Sequence, residues 1–285
     1  MKTCSYCGKE YPDAATVCAI DATPLEGGTT AGDKLSEVSL YAEDKEWIEA
    51  SLGWLLKEFG EDGFLKRKLI LPEPLFFPDK FYGTEECVIK MVERVCSYMN
   101  VDAASVDVRF LMDRDDTAAK HRTGREDDYS GAAGLYFPVD TPQSRQRIAI
   151  NVSQFKNPTA LVGTIAHELG HVILLGGGKI VRDDEGTHEY LTDLLTVFFG
   201  LGIFTANSAF QFNQWQDHSH QGWSAARMGY MSEEMFAYSL AAYAWMRGDL
   251  KPRWAHYLAI NVGHYFRQDL KYLANGGHTS LRQLA

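Results

Sequence analysis

The run Ala166-His167-Glu168-Leu169-Gly170-His171 carries the most chemistry in this sequence. On a helix, His167 and His171 stand one turn apart on one face, so two imidazoles can converge on one metal with Glu168 beside them as a base. The flanking Ile165, Ala166, Leu169, Val172, Ile173 and Leu174 are apolar and place these groups in or near a low-dielectric interior. Unpaired polar groups are costly there, and a metal with its water would satisfy them together. The alternative is a core histidine pair satisfied by ordinary hydrogen bonds.

A catalytic zinc takes three protein ligands and keeps one open position. Residues 172–181 contain no further histidine, which leaves Asp183, Asp184, Glu185, His188, Glu189 and Asp193 as candidates for the third ligand. Residues 183–186 read as a polar loop before a helix, where acids commonly cap and solvate. From Glu189 onward the pattern is helical, and Glu189, Asp193, Thr196 and Gly200 fall on one narrow stripe in apolar surroundings. Two carboxylates on a buried face need cations or donors. Zinc would supply that need for Glu189, and a ring N–H of a ligand histidine would supply it for Asp193. An exposed acidic stripe on a surface helix is the competing reading.

His-Glu-x-x-His followed by Glu189-x-x-x-Asp193, 18 positions after His171, resembles the gluzincin metallopeptidases. The likeness covers about 50 residues, from the strand pattern Arg147–Val152 to the Glu189 helix. It implies a zincin-like fold and zinc-dependent peptide hydrolysis. In that scheme Glu168 is the general base, and His167, His171 and Glu189 hold the catalytic zinc. It further implies that the strand before the active helix is a sheet edge, with Ile148, Ala149, Ile150 and Asn151 binding an extended peptide or protein substrate. Such enzymes take an oxyanion donor from further along the chain. Tyr230 and His220 are candidates by position only, as are His218 and Arg227. His218-Ser-His220 could equally belong to a second metal or a polar loop.

A second metal motif opens the chain. Cys4-x-x-Cys7 and Cys18-x-x-Asp21 form two knuckles, with Gly8 where the first turn needs a permissive backbone. The segment resembles short zinc ribbons, with Asp21 in the place of the usual fourth cysteine. A Cys3Asp structural zinc site is expected, weaker than Cys4 because a carboxylate is the harder ligand; the alternative is a degenerate ribbon without metal. Such a module would suit a protein partner. This gives a second functional reading, a catalytically silent metal protein acting as an adaptor through its ribbon.

The expected architecture is α+β. A zinc-ribbon-like module (1–26) and a Gly/Thr-rich linker (27–34) precede a zincin-like domain (35–285) with a small sheet, the active helix and a mostly helical C-terminal part. Apolar spacing predicts helices over Trp47–Phe59 and about Thr84–Met99. Period-two patterns predict strands at Val106–Met112, Ala133–Phe137 and Arg147–Val152. The active helix is predicted from Pro158 to about Leu175, ended by Gly176-Gly-Gly, and later helices over Leu191–Leu201, Ser232–Arg247 and Trp254–Leu273. The charged stretch Asp113–Ser130 reads as a solvated excursion or a lid.

A chain of 285 residues that is 45% hydrophobic can bury a core without disulfides. Its net charge of −10 and lack of a basic patch argue against nucleic acid as a partner. The first residues lack the apolar run of a signal peptide, and the most apolar stretch, Leu191–Ala206, falls short of the ~20 residues of a membrane helix. No membrane association and a cytoplasmic location are expected. Cys87 and Cys96 lie about 13 Å apart on one predicted helix, facing opposite ways, which excludes a disulfide between them.

Overall fold

The computed structural model describes residues 2–3, 10–11, 38–112, 132–138, 145–181, 187–216 and 231–285. Cys4, Cys7, Cys18, Asp21, the 27–34 linker, the 113–130 stretch, Asp183, Asp184, Glu185, His218, His220, Arg227 and Tyr230 lie outside the described residues. Two short strands, β1 (Lys2–Thr3) and β2 (Glu10–Tyr11), pair antiparallel. The rest is α+β and mostly helical, with helices α1 (Ala42–Phe59), α2 (Glu61–Lys66) and α3 (Glu85–Met99) leading into a three-stranded sheet. That sheet comprises β3 (Val106–Leu111), β4 (Gly134–Phe137) and β5 (Gln146–Asn151). Helices α4 (Pro158–His171), α5 (Thr187–Phe198), α6 (Gly202–Gln216), α7 (Glu233–Met246) and α8 (Ile260–Ala274) follow.

The strand order β3-β5-β4 corrects one expectation. β5 is the central strand, parallel to β3 (Val108 opposite Ile148) and antiparallel to β4 (Gly134 opposite Ile150). Its backbone groups are therefore engaged on both sides. Ile148, Ala149 and Ile150 are fully buried, Asn151 is buried too, and the Asn151 side chain accepts from Ser153 N–H. These four residues cannot receive a substrate as an added strand. Among the described residues, β3 and β4 flank β5, and β4 packs against α4.

Helix α4 is buried from Ala160 to His171 and lies at the centre of the core, touching α3, α5, α6 and β4. Pro158 occupies its first turn, and Asn157 caps it by accepting from Ala160 N–H. Past His171 it continues as one π-helical turn, Val172–Gly176, and ends at the glycines as the sequence pattern predicts. The span Pro158–Gly176 is the described helix long and apolar enough to cross a membrane, and 78% of its most apolar window is buried within the protein. The stretch 191–206 is two helices, because Gly200 breaks it with φ +83°. A Cβ there would also lie 2.5 Å from the Lys68 carbonyl oxygen.

The predicted helix over 254–273 is likewise divided. A 3₁₀ turn at Arg253–Tyr257 precedes α8, and the Asn207 side chain holds the break by donating to Tyr257 O and accepting from Ala259 N–H. Cys87 and Cys96 are free thiols.

The C-terminal segment is tied to α1 through a buried carboxylate. Glu49 accepts from Tyr238 Oη (2.5 Å) and from Ser280 N and Oγ (2.8 Å each), and pairs with Lys45 at 2.8 Å. Burial acts to raise the Glu49 pKa, but the bonds from Lys45, Tyr238 and Ser280 prevail and hold it at about 2. A carboxylate with a lower pKa in the folded state adds stability that is fully present above the ordinary value of 4.5 and lost as pH falls toward 2. Wild type is expected to lose about 2–3 kcal/mol more than Glu49→Gln between those pH values, read by urea unfolding at a series of pH values.

Candidate metal centre

Helices α4 and α5 cross so closely at Gly170 that a Cβ there would lie 2.6 Å from Thr192 Cγ2. This approach lets Glu189, on the first turn of α5, reach the two histidines of α4. Glu189 Oε2 lies 3.0 Å from His167 Nε2 and 3.1 Å from His171 Nε2. The ligand atoms of these three residues all lie within 4.8 Å of one another. Ligands around tetrahedral zinc, at bond lengths near 2.0–2.1 Å, stand about 3.4 Å apart, so the separations suit one small cation.

The opposite ring nitrogens are also held. His167 Nδ1 lies 2.8 Å from Asp193 Oδ1, and the other Asp193 oxygen accepts from Met231 N–H at 3.0 Å. His171 Nδ1 lies 3.3 Å from Thr192 Oγ1, whose hydroxyl donates to the His188 carbonyl at 2.8 Å. With its proton committed, Thr192 accepts from His171, which places that imidazole's proton on Nδ1. Asp193 fixes His167 in the same sense, so both Nε2 atoms are turned to the shared point. The Tyr136 ring stacks on His171 at 5.9 Å between centroids.

Glu168 sits beneath β4. Its Oε2 is buried with no hydrogen-bond partner, and a Cβ on Gly134 would come within 2.6 Å of its Oε1. Only glycine at 134 leaves that carboxyl its space. Burial, reinforced by the charges of Glu189 and Asp193 and opposed by His167, pushes its pKa up to about 8. Burial also acts to raise Glu189, but hydrogen bonds from His167 and His171 hold it well below the usual carboxylate range. Burial would lower His167, yet Asp193 and Glu189 on its two nitrogens drive it well above 6.5. Without a cation, a proton between the carboxylates provides the positive charge that this buried group demands.

The structure thus brings together His167, Glu168, His171, Glu189 and Asp193. The sequence reading missed Thr192, Gly134, Gly170 and Tyr136, and weighed His188 only as a ligand. Thr192 carried a signal, since it follows His188 by four residues and precedes Asp193. The others depend on contacts between distant elements. Of the chain as a whole, no protein-family model, curated protein or solved structure is a match.

The donor set fits a divalent cation. It offers two imidazole nitrogens and one carboxylate oxygen at one point, with a buried unpartnered carboxylate oxygen beside it. Gly170→Ala is expected to force Thr192 aside or α5 outward. The cost is about 1–3 kcal/mol of stability, read by thermal unfolding, together with weaker binding of any divalent cation the wild type takes, read by chelator competition.

Proposed function

We propose that the chain is a zinc-dependent peptide hydrolase of the gluzincin kind. The observation that carries this reading is the convergence of His167 Nε2, His171 Nε2 and Glu189 Oε2 beside the buried Glu168. His167, His171 and Glu189 would hold the zinc, which when bound would polarise the scissile carbonyl and make water easier to deprotonate. Glu168 takes the proton of the attacking water and passes it to the leaving amine, so that one water and one amide become an acid and an amine. Asp193 and Thr192 keep the imidazoles in register during that transfer. β4 packs against α4 and lies against Glu168 at Gly134, so it is the strand that borders the proposed site.

The amino-terminal Cys4, Cys7, Cys18 and Asp21 hold a second, structural zinc in this scheme, giving about two zinc ions per chain. The test is cleavage of an unfolded protein and of short peptides by the zinc-loaded full chain. Cleavage lost on chelation and regained with zinc supports the reading. No cleavage of any of these substrates, with zinc bound, overturns it.

A further inference from the structure

Helix α2 ends at Lys66, and the chain leaving it, Lys66-Arg67-Lys68, sets three basic side chains along a cleft of about 630 Å³. Among the described residues no acidic side chain lines that cleft, in a chain whose net charge is −10. Arg67 is half-buried, with its guanidinium 3.8 Å from the centroid of the Phe199 ring. Its Nε is buried with no hydrogen-bond partner, and no carboxylate among the described residues pairs with it. The neighbouring Arg247 differs, since its guanidinium donates to the carbonyls of Phe64 and Arg67. A cation taken partly out of water is costly unless it is paired, and burial lowers the Arg67 pKa accordingly. Lys66 has an exposed partner, Asp62, at 3.6 Å. Opposite the cations the lining is apolar, with Phe76 and the 81% exposed Leu75. Ser97 and Tyr98 also line the cleft but commit their hydroxyl protons to the carbonyls of Arg94 and Phe76. Phe199 follows the last residue of α5, about 15 Å along the helix from Glu189, so the cleft is separate from the metal centre.

We propose that this cleft binds a small organic oxyanion, a carboxylate or a phosphate monoester, that carries an apolar chain. Arg67 and Lys68 meet the oxyanion, and the chain lies against Leu75 and Phe76. The terminal N–H groups of a guanidinium form a planar fork that matches either head group, and the Phe199 face holds that fork in one orientation. The oxyanion supplies the charge and the acceptors that the protein does not set beside Arg67. The chain takes Leu75 out of water, so an anion that lacks one binds less tightly. The volume lies within the range of about 300–1,000 Å³ usual for small-molecule sites. The assignment is independent of zinc at the metal centre.

The test is titration calorimetry of the full chain with hexanoate, hexyl phosphate, inorganic phosphate and hexanol, each with and without a chelator. The chelator separates the cleft from a metal, which would also hold an oxyanion. Hexanoate or hexyl phosphate is expected to bind saturably with chelator present, at least about 10-fold more tightly than hexanol or inorganic phosphate. The tighter of the two assigns the head group as carboxylate or phosphate. Arg67→Gln is expected to weaken that binding about 10- to 100-fold, as loss of charged hydrogen bonds does. Lys68→Gln, at an exposed position, is expected to weaken it about 2- to 5-fold. Leu75→Ser is expected to narrow the preference for hexyl phosphate over inorganic phosphate.

Failure of both hexyl anions to bind wild type overturns the assignment, as does hexanol binding as tightly as they do. Binding that disappears with the chelator places the anion at a metal and overturns it as well. So does unchanged affinity in both Arg67→Gln and Lys68→Gln. If Arg67→Gln does not fold, Lys66→Gln combined with Lys68→Gln decides, because both side chains are exposed. Unchanged affinity in that double variant overturns the assignment, and a loss of about 4-fold or more supports it.

Discussion

Glu168→Gln is expected to cut peptide hydrolysis by roughly 10²–10⁴-fold, the usual contribution of a positioned general base, while zinc remains bound. Gln keeps the shape of the side chain and removes only the ability to accept a proton. The same substitution is expected to stabilise the metal-free protein at alkaline pH. Burial raises the folded pKa of Glu168 from 4.5 to about 8, so the folded chain favours the protonated carboxyl. Its contribution is intact below pH 4.5 and is lost as pH rises through about 8, where the buried group must ionise without a partner. At pH 9 the metal-free variant is therefore expected to exceed wild type by about 3 kcal/mol, after allowing for the amide's own unmet hydrogen bonds. A dication next to Glu168 reverses the preference and favours the carboxylate. On the proposed reading, the site acquires its base when it acquires its metal. Urea unfolding with and without chelator, beside a peptide cleavage assay, reads both halves. Equal activity in wild type and variant would remove Glu168 from the reaction.

What could be read in advance was local. Two histidines four apart on an apolar helix, and two carboxylates four apart on another, follow from a period of 3.6 and need no knowledge of neighbours. The short strands and most helices were legible for the same reason. Strand order was not, because the place of β5 depends on β3 and β4, which pair with it from 40 and from 10 to 16 residues away in sequence. Its three consecutive apolar residues, Ile148, Ala149 and Ile150, already suit a strand covered on both faces. The division of 254–273 depends on Asn207, about 50 residues earlier, and no local propensity announces it. Gly134 and Gly170 look like ordinary small residues until another element is placed against them. Gly134 then proves to be the space for the Glu168 carboxyl, and Gly170 the contact that brings α5 within reach of α4.

Glu189→Ala is expected to weaken zinc binding at this centre by more than about 100-fold, exceeding the 10- to 100-fold typical of residues that merely orient a ligand. It removes the one anionic donor among the three converging atoms and leaves two imidazoles, which cannot complete a catalytic zinc site alone. Asp193→Asn provides the contrast. The amide keeps one oxygen for His167 Nδ1–H but loses the charge, so the expected loss is the smaller one of an orienting partner. Chelator competition on the three proteins ranks wild type above Asp193→Asn, and Asp193→Asn above Glu189→Ala. On the proposed reading, with both sites filled, wild type is expected to hold about two zinc ions and Glu189→Ala to retain the amino-terminal one. Unchanged affinity in Glu189→Ala would assign the third ligand to another residue. The 3.0 and 3.1 Å approaches of Glu189 Oε2 would then be an ion pair with a protonated His167, and not a metal site awaiting its cation.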